Sequence, residues 1–135
     1  METMNKSKTI QQNKIIKGKF IDVFNIKLME FFKKIISMYP NNKDFKSMRA
    51  QLRLLVTNAP KSPSEYYNKY VTQRYLDFIL SQNDSFFINL DLSGTPFASL
   101  NYLKNVWAAT DKKTQSAMWE YVLLLTKLSQ KINKI

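Results

Sequence analysis

The sequence predicts an all-α protein, and three observations indicate this class. The 135 residues include two glycines and four prolines, a composition that suits helices with short connections better than β-hairpins. Apolar residues recur at three- and four-residue spacing in several segments, as they do on one face of an α-helix. Hydrophobic residues make up 44% of the chain, enough for one core without disulfides or a structural metal. We therefore expect a compact bundle of about five helices, with residues 20–135 as a single domain.

The first 19 residues are polar, rich in lysine and weakly patterned, and they are predicted to form a flexible basic arm. They lack the continuous apolar stretch of a secretory signal. No segment approaches the roughly 18 consecutive apolar residues of a membrane-spanning helix. These features predict an intracellular protein with no membrane span.

The first predicted helix follows the arm and ends before Pro40, which disfavours helical backbone at the preceding residue. The apolar side chains on its inner face are Phe20, Phe24, Leu28, Phe31, Phe32, Ile35 and Tyr39. A second helix is predicted from about residue 43 to residue 57, before Pro60. Its inner side carries Phe45, Met48, Leu52, Leu55 and Val56.

The segment Ser62-Pro63-Ser64-Glu65 marks the start of a third helix. The Ser62 hydroxyl is placed to accept a hydrogen bond from the backbone N–H of Glu65, whose carboxylate can reach back. This capping box predicts a helix that runs to about Gln82. Its inner, largely aromatic side consists of Tyr67, Tyr70, Val71, Tyr75, Phe78 and Ile79.

Residues 83–96 have turn residues at both ends and are predicted to form a loop held in the core by Phe86 and Phe87, with a short strand as the less favoured alternative. Pro96 suits the first turn of a short fourth helix. The apolar residues of that helix are Phe97, Leu100, Leu103, Val106 and Trp107. Thr110 is predicted to cap a last helix of about residues 111–133.

The residue types that most enzymes depend on are missing. Histidine and cysteine are absent, which removes the commonest general base, the commonest metal ligands and the usual nucleophile pairs. Two isolated glycines cannot form a glycine-rich phosphate loop. The ten carboxylates show no calcium-loop spacing. We therefore expect a protein that is not an enzyme and holds no cofactor and no metal ion.

Basic residues outnumber acidic residues by 21 to 10, and a net charge of +11 attracts polyanions such as nucleic acid or an acidic protein surface. On the second helix, Lys46, Arg49 and Arg53 follow i, i+3, i+7 spacing and are expected to project together. Lys127, Lys131 and Lys134 form a similar ridge on the last helix. Either ridge could follow a phosphate backbone, or be an ordinary solvated face.

Arg74 is predicted to lie within the aromatic side of the third helix, one turn after Tyr70 and one turn before Phe78. Two interpretations stay open. Arg74 and Tyr70 could form a stacking or phosphate-binding site, because a guanidinium is attracted to an aromatic face. Alternatively, Arg74 could form an internal ion pair with Asp77 or Asp84 that fixes the packing.

The last helix is apolar on two sides. Trp119 and Leu123 are four residues apart, and both fall outside the broad apolar arc of that helix. This second patch could be buried internally, for example against Trp107, or it could be an interface with a partner, where tryptophan is enriched. The second possibility favours a structural or adaptor protein that acts through protein contact, including a homo-oligomer.

Three segments carry a resemblance to a known group of proteins. FFKKIISMYPNN, NDSFFINLD and VWAATDKKTQSAMWEYVLLLTKL, in this order, resemble segments of small helical proteins of nucleocytoplasmic large DNA viruses (giant viruses), over roughly residues 20 to 130. The resemblance implies a viral protein that acts in the host cytoplasm, in the virus factory, or in the virion beside viral structural proteins. It implies no catalytic residues. The preferred hypothesis is a non-enzymatic basic helical module that binds nucleic acid or another polyanion.

Overall fold

Helices form the whole framework of the computed structural model, which describes the backbone of residues 2–135 and the side chains of residues 9–135. The α-helices are α1 (Glu2–Met38), α2 (Lys43–Asn58), α3 (Ser62–Tyr67), α4 (Gln73–Leu80), α5 (Ser85–Asn89), α6 (Leu103–Val106) and α7 (Lys112–Lys134). A π-helical turn (Asn68–Thr72) joins α3 to α4, and 3-10 turns (Ala98–Tyr102 and Trp107–Ala109) flank α6. The described residues contain no strand, which confirms the all-α class. With α3 and α4 taken as one continuous helix, the described chain has six α-helices, one more than expected.

The helix α1 lies between α2 and α7 and supplies the centre of the core. It runs antiparallel to α7, because Phe20 contacts Lys131 while Phe31 stacks on Tyr121. The inner face of α1 follows the helical period of the sequence. Its buried apolar residues are Ile21, Phe24, Leu28, Phe31, Phe32 and Ile35.

The N-terminal segment differs from the expected arm, because α1 begins at Glu2 and not near residue 20. Its side chains from Thr9 to Ile16 are exposed. Lys17 lies beside Ile132 and Asn133, near the C-terminal end of α7, so the preceding turns extend beyond the bundle. The apolar pattern fades there because no neighbouring helix needs it, while lysine, glutamine and isoleucine still tolerate helical backbone.

The N-terminal caps of the helices differ from those that the sequence predicted. Asn42 caps α2 by accepting from the backbone N–H of Phe45. Asp111, one residue after the expected Thr110, caps α7 by accepting from the backbone N–H of Thr114. The expected capping box at residues 62–65 does not form, because the N–H of Glu65 donates to the carbonyl of Lys61.

The π turn is the main departure from the expected third helix. In it, the backbone N–H of Gln73 donates to the carbonyl of Asn68, five residues earlier. The backbone of Tyr75 is also non-helical, with φ −126° and ψ 16°. The extra residue rotates everything that follows relative to an uninterrupted α-helix. Phe78, expected on the inner face, is consequently 39% exposed.

Residues 83–96 contain a short helix, α5, where a loop was expected. The expectation that Phe86 and Phe87 enter the core is confirmed, since both are buried. The Phe87 ring stacks on Trp107, with 3.8 Å between ring centroids and 12° between planes. This contact fixes α5 against the segment of 3-10 and α-helical turns at residues 98–109.

Candidate functional site

Trp119 belongs to the core of its own chain. It is 6% exposed, its Nε1 donates to Asp84 Oδ1 at 3.2 Å, and its ring meets the edge of Phe87 at 4.9 Å between centroids. Leu123 is half-buried against the same core. Of the two alternatives, the structure therefore shows internal burial. The candidate interface residues Trp119 and Leu123 therefore pack within the chain, and Phe86 and Phe87 of α5 cover Trp119.

The ridge expected on α2 is interrupted at its middle residue. Lys46 and Arg53 are exposed, but Arg49 lies against α1 and its Nε is buried without an acceptor. Arg49 lines a groove of about 630 Å³ between α1 and α2, together with Asn25, which is 4% exposed and has an unpaired Oδ1. The three cations therefore do not project together as their spacing predicted.

Arg74 contacts Tyr70 as predicted, with 5.1 Å between its guanidinium carbon and the ring centroid, but it is exposed. Among residues 9–135 no ion pair joins Arg74 to Asp77 or Asp84. The Ser93 hydroxyl and backbone N–H hold the pKa of Asp91 below its usual range, with smaller contributions from Asn101 and from the charge of Arg74. The internal ion pair of Arg74 with Asp77 or Asp84 is therefore not formed.

A cleft between α1, α3 and α7 brings together cations that the sequence keeps far apart. We call it the lysine cleft; its volume is about 170 Å³. Its polar lining consists of Lys17, Lys61, Glu65, Asn68, Ser129 and Asn133. Lys17 comes from the exposed half of α1, and Lys61 directly precedes α3. The packing of α1 against α3, with the C-terminal turns of α7 beside both, produces this meeting.

Further lysines surround the lysine cleft and form a basic end of the bundle. The Nζ of Lys131 lies 5.2 Å from the Phe20 ring centroid, so the last turns of α7 sit beside the start of the packed part of α1. The basic end comprises Lys17, Lys61 and Lys131, which these contacts place there, and four exposed lysines within four residues of them along α1 and α7, namely Lys14, Lys19, Lys127 and Lys134. Within the described side chains, the one ion pair joins Lys27 to Glu30, away from this end. The lysines of the basic end therefore carry charge that no carboxylate of the described chain pairs within 4.0 Å.

A hydrogen-bonded seam between the π turn and α7 supports the cleft from inside. The Tyr67 hydroxyl donates to the carbonyl of Val122 at 3.1 Å and lies 2.9 Å from Thr126 Oγ1. Thr72 Oγ1 donates to Ser129 Oγ at 3.0 Å. Burial of the Tyr67 hydroxyl raises its pKa above the ordinary tyrosine value, although the ring as a whole is only half-buried. The seam fixes the relative position of α3 and α7, and hence of the cleft walls.

The rest of the described chain offers little other chemistry. No three carboxylates among residues 9–135 lie close enough to hold a metal ion. An interior cavity of about 50 Å³ is lined by aromatic and aliphatic side chains with almost no polar surface. None of the helices described combines the length and hydrophobicity that crossing a membrane requires.

Sequence reasoning did not single out Lys61, an isolated lysine between Pro60 and Ser62, and it counted Lys17 only as one lysine of the basic arm. Lys127 and Lys131 were singled out, and the structure places Lys131 at the basic end. Only knowledge of which helices pair, and in which direction, could have joined these residues.

Comparisons of the chain with protein-family models, with curated protein sequences and with solved structures gave no match. What the basic end can bind must therefore be argued from its own geometry and charge.

Proposed function

We propose that the protein is a non-enzymatic helical module that binds nucleic acid through its basic end. The observation that carries this proposal is that lysines from three separate segments meet at one end of the bundle with no ion pair among them. Unpaired ammonium groups attract phosphates and release the counterions bound to a polyanion, which favours association without sequence selectivity. The resemblance to giant-virus proteins agrees with this role in a virus factory or virion.

The projecting half of α1 adds to the proposed surface. Lys14 lies on turns whose side chains are exposed, and Lys19 is exposed where the packed part of α1 begins, so a nucleic-acid strand can approach both from several directions. Lysine acts as a flexible point charge on phosphate, in contrast to the fixed fork of arginine. An interface made of lysines therefore favours backbone contact over recognition of particular bases.

The salt dependence of binding tests the proposal. We expect a labelled oligonucleotide to bind with an affinity that falls steeply between about 50 and 200 mM NaCl, with a log–log slope of roughly −4 for four to five phosphate contacts on duplex DNA. Changing Lys17, Lys61 and Lys131 to glutamate should abolish binding. The matched control makes the same change at Lys33, Lys34 and Lys104, three exposed lysines outside the basic end. This control should keep more of the oligonucleotide affinity than the first variant does. Absent or salt-independent binding by the wild type would rule the proposal out.

Protein contact is the second candidate function, and a different surface from Trp119 favours it. Val23 and Ile26 are exposed on the outer face of α1, with Lys19 one turn before them and Glu30 one turn after. In an antiparallel pair of α1 helices, Val23 would face Ile26 of the second copy and Lys19 would face Glu30. This self-complementary order suits an isologous dimer.

Sedimentation equilibrium tests this second function. A dimer that Ile26→Glu converts to monomer would support it, provided that Leu54→Glu, at an exposed position on α2, leaves the dimer intact. A wild-type monomer at high protein concentration would exclude self-association through α1.

A further inference from the structure

The lysine cleft has the shape and chemistry of a seat for a single phosphate group. We propose that it binds one backbone phosphate of the nucleic acid, held between Lys17 and Lys61, an inference that rests on the proposed function. The cleft differs from the rest of the basic end because lysines from two different elements, Lys17 and Lys61, line one half-open space. Its volume of about 170 Å³ exceeds several times the roughly 30 Å³ that one water occupies in the liquid.

Neutral donors complete the lining. The side-chain Oδ1 of Asn133 accepts from Asn68 Nδ2 at 3.4 Å, and no described residue accepts from Asn133 Nδ2. Ser129 Oγ reaches Asn68 Oδ1 at 3.4 Å, also near the upper limit for a hydrogen bond. These long bonds contrast with the 2.9 Å contact of Tyr67 with Thr126 deeper in the seam. The amide groups at the mouth of the cleft can therefore turn toward a phosphate oxygen at small cost.

Two lysines suit this ligand better than one would. A phosphodiester has two non-bridging oxygens that share one negative charge and point in different directions, and each can accept from a separate ammonium group. Lys17 approaches from α1 and Lys61 from the residue before α3, so the two charges reach the ligand from different elements. A carboxylate, whose two oxygens lie in one plane, would accept less favourably from two ammonium groups that belong to different elements.

Glu65 is the acidic residue of the cleft, and its charge opposes that of a bound phosphate. Its replacement therefore tests the proposal by a gain of phosphate affinity, whereas replacement of the lysines tests it by a loss. Its carboxylate is exposed and forms no ion pair with Lys17 or Lys61 in the described chain. A phosphate seated between the lysines must tolerate this negative charge. Replacing Glu65 with glutamine removes the repulsion and preserves the size of the side chain, so this variant should bind phosphate more tightly than the wild type.

The first experiment measures binding of a short labelled oligothymidylate at about 50 mM NaCl by fluorescence anisotropy. We expect Lys17→Ala with Lys61→Ala to weaken binding roughly tenfold or more, and the control pair Lys33→Ala with Lys34→Ala about threefold, because the control removes only general attraction. Glu65→Gln should strengthen binding about threefold. Equal losses for the two lysine pairs, or no gain for Glu65→Gln, would overturn the phosphate seat while leaving the proposed function standing.

The second experiment separates a backbone phosphate from free phosphate. Inorganic phosphate is titrated at constant ionic strength while the side-chain amide NMR signals of Asn68 and Asn133 are followed. Saturable shifts in the wild type that disappear in the Lys17/Lys61 variant support the seat, and absent shifts contradict it. Shifts without any oligonucleotide binding would overturn both the nucleic-acid assignment and the proposed function, since the cleft would then serve free phosphate alone.

Discussion

The structure decides between the two roles that the sequence leaves open for Trp119. Its ring fills the space between α5 and α7, and its Nε1 is bonded to Asp84. A tryptophan placed in this way stabilises the chain that carries it. It does not anchor a partner.

We therefore expect Trp119→Ala to lower the free energy of unfolding by about 3 to 5 kcal/mol, because it leaves a large cavity beside Phe86 and Phe87. Urea denaturation followed by circular dichroism measures the change. Leu124→Ala, at a more exposed position on the same helix, is the control and should cost less than about 1 kcal/mol. A variant as stable as the wild type would contradict the burial of Trp119.

Tyr67 should make the protein sensitive to alkaline pH. Burial raises its pKa in the folded state above the value of 10.0 that applies in the unfolded chain. Above about pH 10 the unfolded state therefore loses the proton first, so the stability that the neutral hydroxyl provides is complete below pH 10 and declines as pH rises beyond it. The slope approaches about 1.4 kcal/mol per pH unit.

The check is urea denaturation at neutral and alkaline pH for the wild type and for Tyr67→Phe. The variant should lose about 1 to 2 kcal/mol at pH 7, because Val122 and Thr126 lose a buried partner, and should show a smaller decline above pH 10. Tyr102→Phe, at an exposed position, should behave like the wild type. Equal alkaline slopes in all three proteins would be incompatible with a buried Tyr67 hydroxyl.

At the scale of elements, the π turn aligns the two bonds of the seam. Residues five apart in an α-helix lie about 140° apart around the axis. A π turn has more than four residues per turn, so Tyr67 and Thr72 both face α7, where Thr126 and Ser129 are one turn apart. The extra residue therefore contributes a second polar contact between the helices.

Deletion of Lys69, an exposed residue inside the π turn, should restore α-helical spacing and rotate Thr72 away from Ser129. We expect this deletion to cost about 2 kcal/mol or more, because at least one buried hydroxyl loses its partner. Lys69→Ala keeps the turn and should change stability by less than about 0.5 kcal/mol. Urea denaturation compares the two. Equal stabilities would show that the π turn has no structural role.

The same turn explains where the sequence was a good guide and where it was not. The second helix was expected at about residues 43 to 57 and is found at Lys43–Asn58, since its apolar residues keep the helical period and Pro60 follows it. Beyond the π turn, the aromatic side was placed by α-helical arithmetic, and Phe78 and Arg74 consequently moved outward. No residue type marks a π turn, because its cause lies in hydrogen bonds to a distant helix. The lysine cleft was hidden for the same reason, since pairing of remote segments creates it.

At the scale of the whole molecule, charge and packing are separated. The core is apolar and aromatic, while a net charge of +11 lies on the surface with one ion pair among the described side chains. Folding therefore brings lysines closer together than they are in the unfolded chain, most of all at the basic end. Their mutual repulsion opposes folding and makes the same surface attractive to a polyanion.

This separation predicts that salt stabilises the protein. Between about 20 and 200 mM NaCl the screening length falls from roughly 20 Å to below 10 Å, and we expect the free energy of unfolding to rise by about 1 kcal/mol as lysine repulsion is screened. Changing Lys17, Lys61 and Lys131 to glutamine should raise stability at low salt and weaken its salt dependence. The same change at Lys33, Lys34 and Lys104 removes equal charge. It should raise stability and weaken the salt dependence by smaller amounts, because those lysines are not gathered at the basic end. Thermal or urea unfolding at several salt concentrations measures both effects. A loss of stability on adding salt would contradict the prediction, because it would require stabilising ion pairs that the structure does not contain among its described residues.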